Sequence, residues 1–500
     1  MVGVRPPVKV AAVLGAGGSF LAAGLITLSP NAFAEPRPDA ATAAARWQAG
    51  ELDNGAIPGF SPGMYDWGLT VDTLIALKAT GADEEAADKV VDTLKVHVRD
   101  YNSYDAWSEP GQRVAGATAK LLYAAVVAGE DPAKFGAYNL RQETLDLIAG
   151  PDAGLEEGRL KDKVLDGNDY SNTFGQSLAV VGLARSGDVP QSAVDFLIDQ
   201  QCAAGGFRLY PYAFGSGTVS GDCDAQGAEA VLDPDSTAMA VQALLAAAAD
   251  GAEGAAAAAK KGGDWLAGIQ HDDGALIGSG PTAFPNANST GLGGQALAAT
   301  GHQAAADKAA DWIEARQITS SNAGAASAET GTIAYNDEAL AGAQADGIPD
   351  FQRDQWRRST PQAVLALAQI PLAEIGLTDP GPGPDPSGDP SGDPSGDPSG
   401  DPSDGPSGDP SGDPSGDPSD DPSGDPSGDP SSAPSHDGSG SPMPTAGTTT
   451  IPNNPVPSGG SGPLAGTGSS ALVLGSAAAA LTAAGYAAFR VAKRRQGAHT

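Results

Sequence analysis

The stretch LDPDSTAMAVQAL, residues 232–244, sets two carboxylates, Asp233 and Asp235, just ahead of a Ser-Thr pair and a run of small apolar residues. Two chemistries suit that arrangement. A carboxyl kept protonated near neutral pH by burial and by a second negative charge is a general acid. A carboxylate at the start of helix-forming sequence instead caps the helix, accepting its free backbone N–H groups. Capping is the plainer reading, because Ser-Thr starts recur along the chain without the aspartate pair. Asp66, Asp72, Asp169 and Asp272 stand at comparable helix starts and turns. Glycoside hydrolysis asks for two carboxyls roughly 5–10 Å apart across the bond, and with this many aspartates their presence selects no pair. Trp67, Tyr101, Tyr104, Trp107, Tyr210, Tyr212 and Phe284 lie in Gly-, Pro- and Ser-rich stretches. There they either plug turns or offer flat faces to a glycan.

The elements that must position these residues repeat. A small-residue helix recurs as TVDTLIALKATG (70–81), TAKLLYAAVVAG (118–129), SNTFGQSLAVVGLARSG (171–187), STAMAVQALLAAAADG (236–251), STGLGGQALAATG (289–301) and STPQAVLALAQI (359–370). The Ser or Thr starts read as N-caps and the closing glycines as C-caps; only the sixth copy lacks the glycine. Between copies lies a second element with an aromatic five residues before a glutamine: Phe196/Gln201, Trp265/Gln270 and Trp312/Gln317. In the first two a glycine follows, Gly205 and Gly274. About six such hairpins, one every 55 residues or so, fill residues 45–377. They close into a ring with the small-residue helices inside and the aromatic-bearing helices outside.

At this level the chain resembles the terpenoid cyclase/prenyltransferase-like α/α toroid superfamily, whose repeat is Gln-x3-Gly-x-Trp. Here the last position is Phe207 in one copy and Leu276 in another. The resemblance implies an all-α toroid over residues 35–377. Within it, LDPDSTA is similar to the Asp-x-Asp-Asp-Thr-Ala motif of squalene cyclases. That implies Asp235 as the proton donor and Asp233 as its partner, with Ser236 in place of the last aspartate. The toroid also hosts carbohydrate-active enzymes and the secreted, non-catalytic cobalamin carriers. A cobalamin-like ligand is therefore one expectation, and a small-molecule or glycan ligand at the central mouth is another. Aromatics make up only 5% of the chain, few for the aromatic-walled cavity that carbocation chemistry wants. The reading is a non-catalytic binding module, with a cyclase-like or carbohydrate-active enzyme as the alternative.

Net charge is −34, which excludes a nucleic-acid partner for want of a basic surface. Arg5 and Lys9, an apolar run over 10–28 and the small-residue triplet 32–34 read as a signal peptide, residues 1–34, cleaved after Ala34. In an exported chain the two cysteines, Cys202 and Cys223, are expected as a disulfide; two thiols and scattered histidines give no metal site. Residues 378–463, built largely on DPSG repeats, read as a disordered acidic stalk. As a flexible coil of about 85 residues it would average roughly 50 Å end to end. Residues 469–489 carry no charge and match a bilayer span; Arg490, Lys493, Arg494 and Arg495 follow. With Leu464-Ala465-Gly466-Thr467-Gly468 ahead of it, segment 464–500 resembles the cell-wall sorting signal of Gram-positive surface proteins, in the LAxTG form read by class E sortases. That resemblance implies cleavage between Thr467 and Gly468, transfer to peptidoglycan, and a place on the cell surface.

Overall fold

The computed structural model describes residues 36–59, 61, 63–105, 110–164, 169–212 and 219–377. Ala34, Trp107, the stalk, the sorting residues Leu464, Ala465, Thr467 and Gly468, and the span 469–489 lie outside the described residues.

The described chain folds into fourteen α-helices: α1 Pro38–Gly50, α2 Trp67–Thr80, α3 Glu84–Val96, α4 Val98–Asn102, α5 Ala115–Val127, α6 Leu140–Asp146, α7 Thr173–Ser186, α8 Gln191–Asp199, α9 Pro234–Ala249, α10 Ala255–Ile269, α11 Ala287–Ala299, α12 Gln303–Glu314, α13 Asp337–Asp346 and α14 Arg353–Ala368. Among the described residues there is no β-strand, only isolated bridges. The helices fall into two kinds. In α5 every residue from Ala115 to Ala125 is buried, and α7, α9 and α11 are buried almost as completely. A helix apolar on all sides belongs inside a larger core. In contrast, α3 buries Ala87, Val90, Val91 and Leu94, and α12 buries Ala306, Ala309, Ala310 and Ile313, one stripe each.

The buried helices form a closed ring in the order α2, α5, α7, α9, α11, α14 and back to α2. Helices α1, α3, α6, α8, α10 and α12 surround it, so the chain is an α/α toroid of six inner and six outer helices. Neighbouring inner helices meet close to their starts, except that α14 begins more than a turn before the level at which it meets α11. A Cβ on Gly175 of α7 would stand 3.1 Å from Gly116 Cα of α5, and Asn288 of α11 donates to Gln362 of α14 at 2.5 Å. The inner helices are therefore parallel, and all their N-termini open on one end of the ring, the mouth.

The repeated glutamine and glycine hold the outer layer together. Gln201 Nε2 donates to the carbonyls of Gly205 and Ala258, each at 2.9 Å. Gln270 does the same with Gly274 at 2.9 Å and Ala305 at 2.8 Å. Gln317 does so with Gly331 and Ala40, each at 2.9 Å. Each glutamine thus ties its own turn to the first residues of the next outer helix, and the last pair closes the outer ring onto α1. Gly205, Gly274 and Gly331 have φ of +109°, +95° and +108°, and a Cβ on Gly274 would strike the Lys308 carbonyl.

The Ser-Thr starts do not cap the inner helices. The caps come a few residues earlier: Asp66, Asn172, Asp233 and Asn286 accept from the N–H groups of Leu69, Gly175, Ser236 and Ser289. The threonines sit inside the helix and make tertiary bonds instead. Thr70, Thr237, Thr290 and Thr360 accept the N–H groups of Ile57, Phe207, Leu276 and Ile333, pinning the incoming turn to the helix. The C-terminal glycines do what their position suggests. Gly81, Gly129, Gly187, Gly251 and Gly301 all have positive φ, and Gln369 takes the left-handed conformation where the sixth copy has no glycine.

Past α14 the chain crosses the other end of the ring. Ile370 O accepts from Gln295, Leu372 O accepts from Tyr123 and Arg185, and Leu372 N donates to Gln242. Residues 370–377 thereby contact α5, α7, α9 and α11 and close the base.

Candidate functional site

The axis of the ring is almost filled. Its cavity, lined by Asp72, Lys120, Tyr123, Phe174, Met239 and Leu372 among others, measures about 30 Å³ of space open to water centres. That holds about two waters at roughly 10–15 Å³ each. Among the described residues this cavity is far smaller than the roughly 300 Å³ of an ordinary ligand chamber.

What remains is the mouth. Asp233 lies there, fully buried, as the cap of α9: Oδ1 accepts from Ser236 N at 2.6 Å and Oδ2 from Ser279 Oγ at 2.5 Å. Asp235 follows in the first turn and is 3% exposed. Its Oδ1 is buried without a hydrogen-bond partner. Burial first, and the neighbouring Asp233 second, push its carboxyl up to about 7, while Ser289 pulls the other way. Tyr335 stands close enough for the Asp235 charge to add to the burial that raises its own hydroxyl to about 12. Phe284 packs edge-on against Tyr335, with ring centroids 5.8 Å apart. The pair is thus both things the sequence offered: Asp233 is the helix cap, and Asp235 is a buried acid with one free oxygen.

The other aspartates are distributed around the mouth in structural roles. Asp66 caps α2 and holds Arg358 at 2.5 Å. Asp72 lies deeper, paired with Lys120. Asp169 pairs with Arg159 at 3.1 Å and accepts from the N–H groups of Asp162 and Ser171. Asp162, which the sequence did not single out, accepts from Ala115 N at the start of α5, and burial raises it to about 6. Asp272 is exposed in the turn after α10. Cys202 and Cys223 form a disulfide with Cα atoms 4.8 Å apart; it joins the turn after α8 to the loop leading into α9.

The aromatics divide. Trp67 is the first residue of α2 and stacks on His97 at 4.5 Å. Tyr101 is buried in α4, Tyr104 is half-buried, and Tyr210 and Tyr212 pack on each other at 5.5 Å. Of the aromatics picked out from sequence and described here, only Phe284 is largely exposed. Of the exposed large apolar side chains among the described residues, Val96, Leu155 and Leu377 lie elsewhere, and four share a register invisible beforehand. Met64, Tyr170, Val231 and Phe284 are 42%, 53%, 62% and 38% exposed. Each stands two residues before the capping residue of an inner helix, Asp66, Asn172, Asp233 and Asn286. Phe351, 82% exposed, stands one residue before Gln352, the N-cap of α14, outside that register. Five of the six inner helices therefore carry an exposed large apolar side chain within two residues of the N-cap, at the end where the capping carboxylates lie.

These features define the class: an α/α toroid with a filled axis and an acidic mouth rimmed by apolar side chains. No family model and no curated protein matches the chain. Among solved structures it is similar to a type II terpene cyclase from Scytonema, with 14% identity, a TM-score of 0.44, and coverage of 67% of this chain and 98% of that one. It is similar to an α-1,6-mannanase from Salegentibacter, with 14% identity, a TM-score of 0.46, and coverage of 67% and 99%. A protein from Actinoplanes gives 17% identity, a TM-score of 0.44, and coverage of 67% and 99%.

Proposed function

We propose that the toroid binds an extended polar ligand, a glycan, across its mouth, and that the chain displays this mouth on the cell surface. The observation that carries the binding reading is the rim of Met64, Tyr170, Val231, Phe284 and Phe351 around buried carboxylates, above an axis with no room for a ligand. Sugar rings present apolar faces for such side chains and hydroxyls that donate to carboxylates. Display rests on the sequence: export with cleavage after Ala34, then attachment through Thr467 by a class E sortase to peptidoglycan.

The test is titration of the purified full chain with soluble peptidoglycan strands, a β-glucan and an α-mannan, against a Tyr170→Ser, Phe284→Ser, Phe351→Ser triple variant. Saturable binding to one glycan, weakened at least tenfold in the variant, is the expected result. Equal binding by both proteins, or none to any glycan, sinks the reading. For display, Thr467→Ala is expected to shift the protein from the wall fraction to the membrane or medium.

A second reading has one observation in its favour. Asp235 is a buried acid with an unpartnered oxygen, which is what protonation of a glycosidic oxygen would use. Release of reducing ends from the bound glycan, lost in Asp235→Asn with binding intact, would make the mouth a hydrolase; its absence leaves a receptor.

A further inference from the structure

On the axis, among residues the mouth reading does not use, Lys120 of α5 faces Asp72 of α2. Nζ lies 2.7 Å from Oδ1, and the two side chains are 4% and 13% exposed. Ile75, Tyr123, Phe174, Met239 and Leu292 surround them. An ion pair in such a place has given up most of its hydration, and its own attraction only partly compensates. Burial accordingly pushes the Asp72 carboxyl up, with Lys120 opposing. Transfer of one proton within the pair leaves an amine against a carboxylic acid. Two reactants held in contact on two packed helices have no translational or rotational freedom left to lose, and a desolvated lysine amine is a competent nucleophile. The Tyr101 hydroxyl nearby is buried without a hydrogen-bond partner, and burial first, then the charges of Asp72 and Asp66, keep it protonated.

We propose that Lys120 and Asp72 condense into an intramolecular amide that ties α2 to α5. The Nζ–Cγ bond forms and one Cγ–O bond breaks. Ammonium and carboxylate together become one amide and one water, with no oxidant or reductant required. The water is released into the adjoining cavity, which has room for it. The link closes the part of the ring that contains α3 and α4, where the inner helices α2 and α5 are neighbours.

Tryptic mapping of the full chain, denatured and with its disulfide reduced, tests this directly. Expected as the main species is a branched product joining residues 47–78 to 114–134, lighter by one water than the sum of its parts and uncut after Lys120. Lys120→Arg keeps the positive charge and should yield linear peptides only. If that variant fails to fold, the wild-type digest decides alone. A wild-type digest dominated by peptide 114–120, cut after a free Lys120, overturns the proposal. The mouth reading stands or falls separately, because rim binding requires no covalent link at the axis.

Discussion

The two ends of this ring are built from the same six helices and are finished in opposite ways. At the base, small residues and one returning segment close everything. Residues 370–377 take hydrogen bonds from Gln295, Tyr123 and Arg185 and give one to Gln242, and the Leu372 side chain fills the axis. At the mouth, the parallel N-termini gather carboxylates, one of them with an unpartnered oxygen, under exposed apolar side chains. The repeat itself imposes only part of that asymmetry. The helix dipoles make the mouth the end where carboxylates are stabilised, and the C-terminal segment decides which end is sealed. Stability belongs to the outer turns and the base, and any binding belongs to the mouth.

The strongest challenge to that division is at an outer turn. Gly274→Val places a branched side chain at φ +95° and drives it into the Lys308 carbonyl of α12. A cost of about 4 kcal/mol or failure to fold is expected, read as loss of the cooperative thermal transition. Leu372→Ala should come next. The side chain is 2% exposed, and its removal enlarges the axial cavity. The expected loss is about 3 kcal/mol, measured by denaturant unfolding, with glycan binding unchanged. If Leu372→Ala abolished binding while leaving the fold intact, the base and the mouth would not be separable.

Asp235 tests the mouth from the other direction. Its carboxyl is raised in the folded chain to about 7, so between the ordinary carboxylate range and that value the native state holds a proton that the unfolded chain has lost. Its contribution is therefore fully present below about pH 4 and is lost as pH rises through about 7. Asp235→Asn, neutral throughout, should be more stable than wild type at pH 8 by roughly 4 kcal/mol and near wild type at pH 4. Melting curves at the two pH values check this. A uniform loss at both would mean that Asp235 serves the fold as Asp233 does.

Much of this architecture could be read before the structure. Five of the six small-residue helices begin and end within a few residues of the expected places, because closing glycines and all-round small apolar composition are local signals; the sixth begins six residues early, at Arg353. The glutamine of the outer repeat was legible as a pattern but not as a mechanism, since its amide reaches the next outer helix, far along the chain. The capping assignment failed for a similar reason. Ser-Thr is a good local cap, but Thr237 and Thr290 are taken up by tertiary bonds to Phe207 and Leu276, which leaves Asp233 and Asn286 to cap. The closing segment was not legible in the sequence, because its backbone bonds and the seat of the Leu372 side chain are made with helices far along the chain. At the site, Asp235 was found by its motif; the rim was not, because an exposed Tyr170 or Phe351 looks like any loop residue until its register against the inner helices is seen.

The smallest expected effect bears most on function. Phe351 is 82% exposed and lies outside the described hydrophobic clusters, so Phe351→Ser should change stability by no more than about 0.5 kcal/mol. Tyr170→Ser, at 53% exposure, should do much the same. Large apolar side chains held in water at five of six helix starts gain the fold little, and their recurrence beside those starts is what the binding reading rests on. Each single rim change should therefore weaken glycan binding several-fold while leaving the melting temperature in place. If the rim variants instead melt lower and bind as before, these side chains support the mouth loops, and the contrast between a structural base and a binding mouth loses its basis.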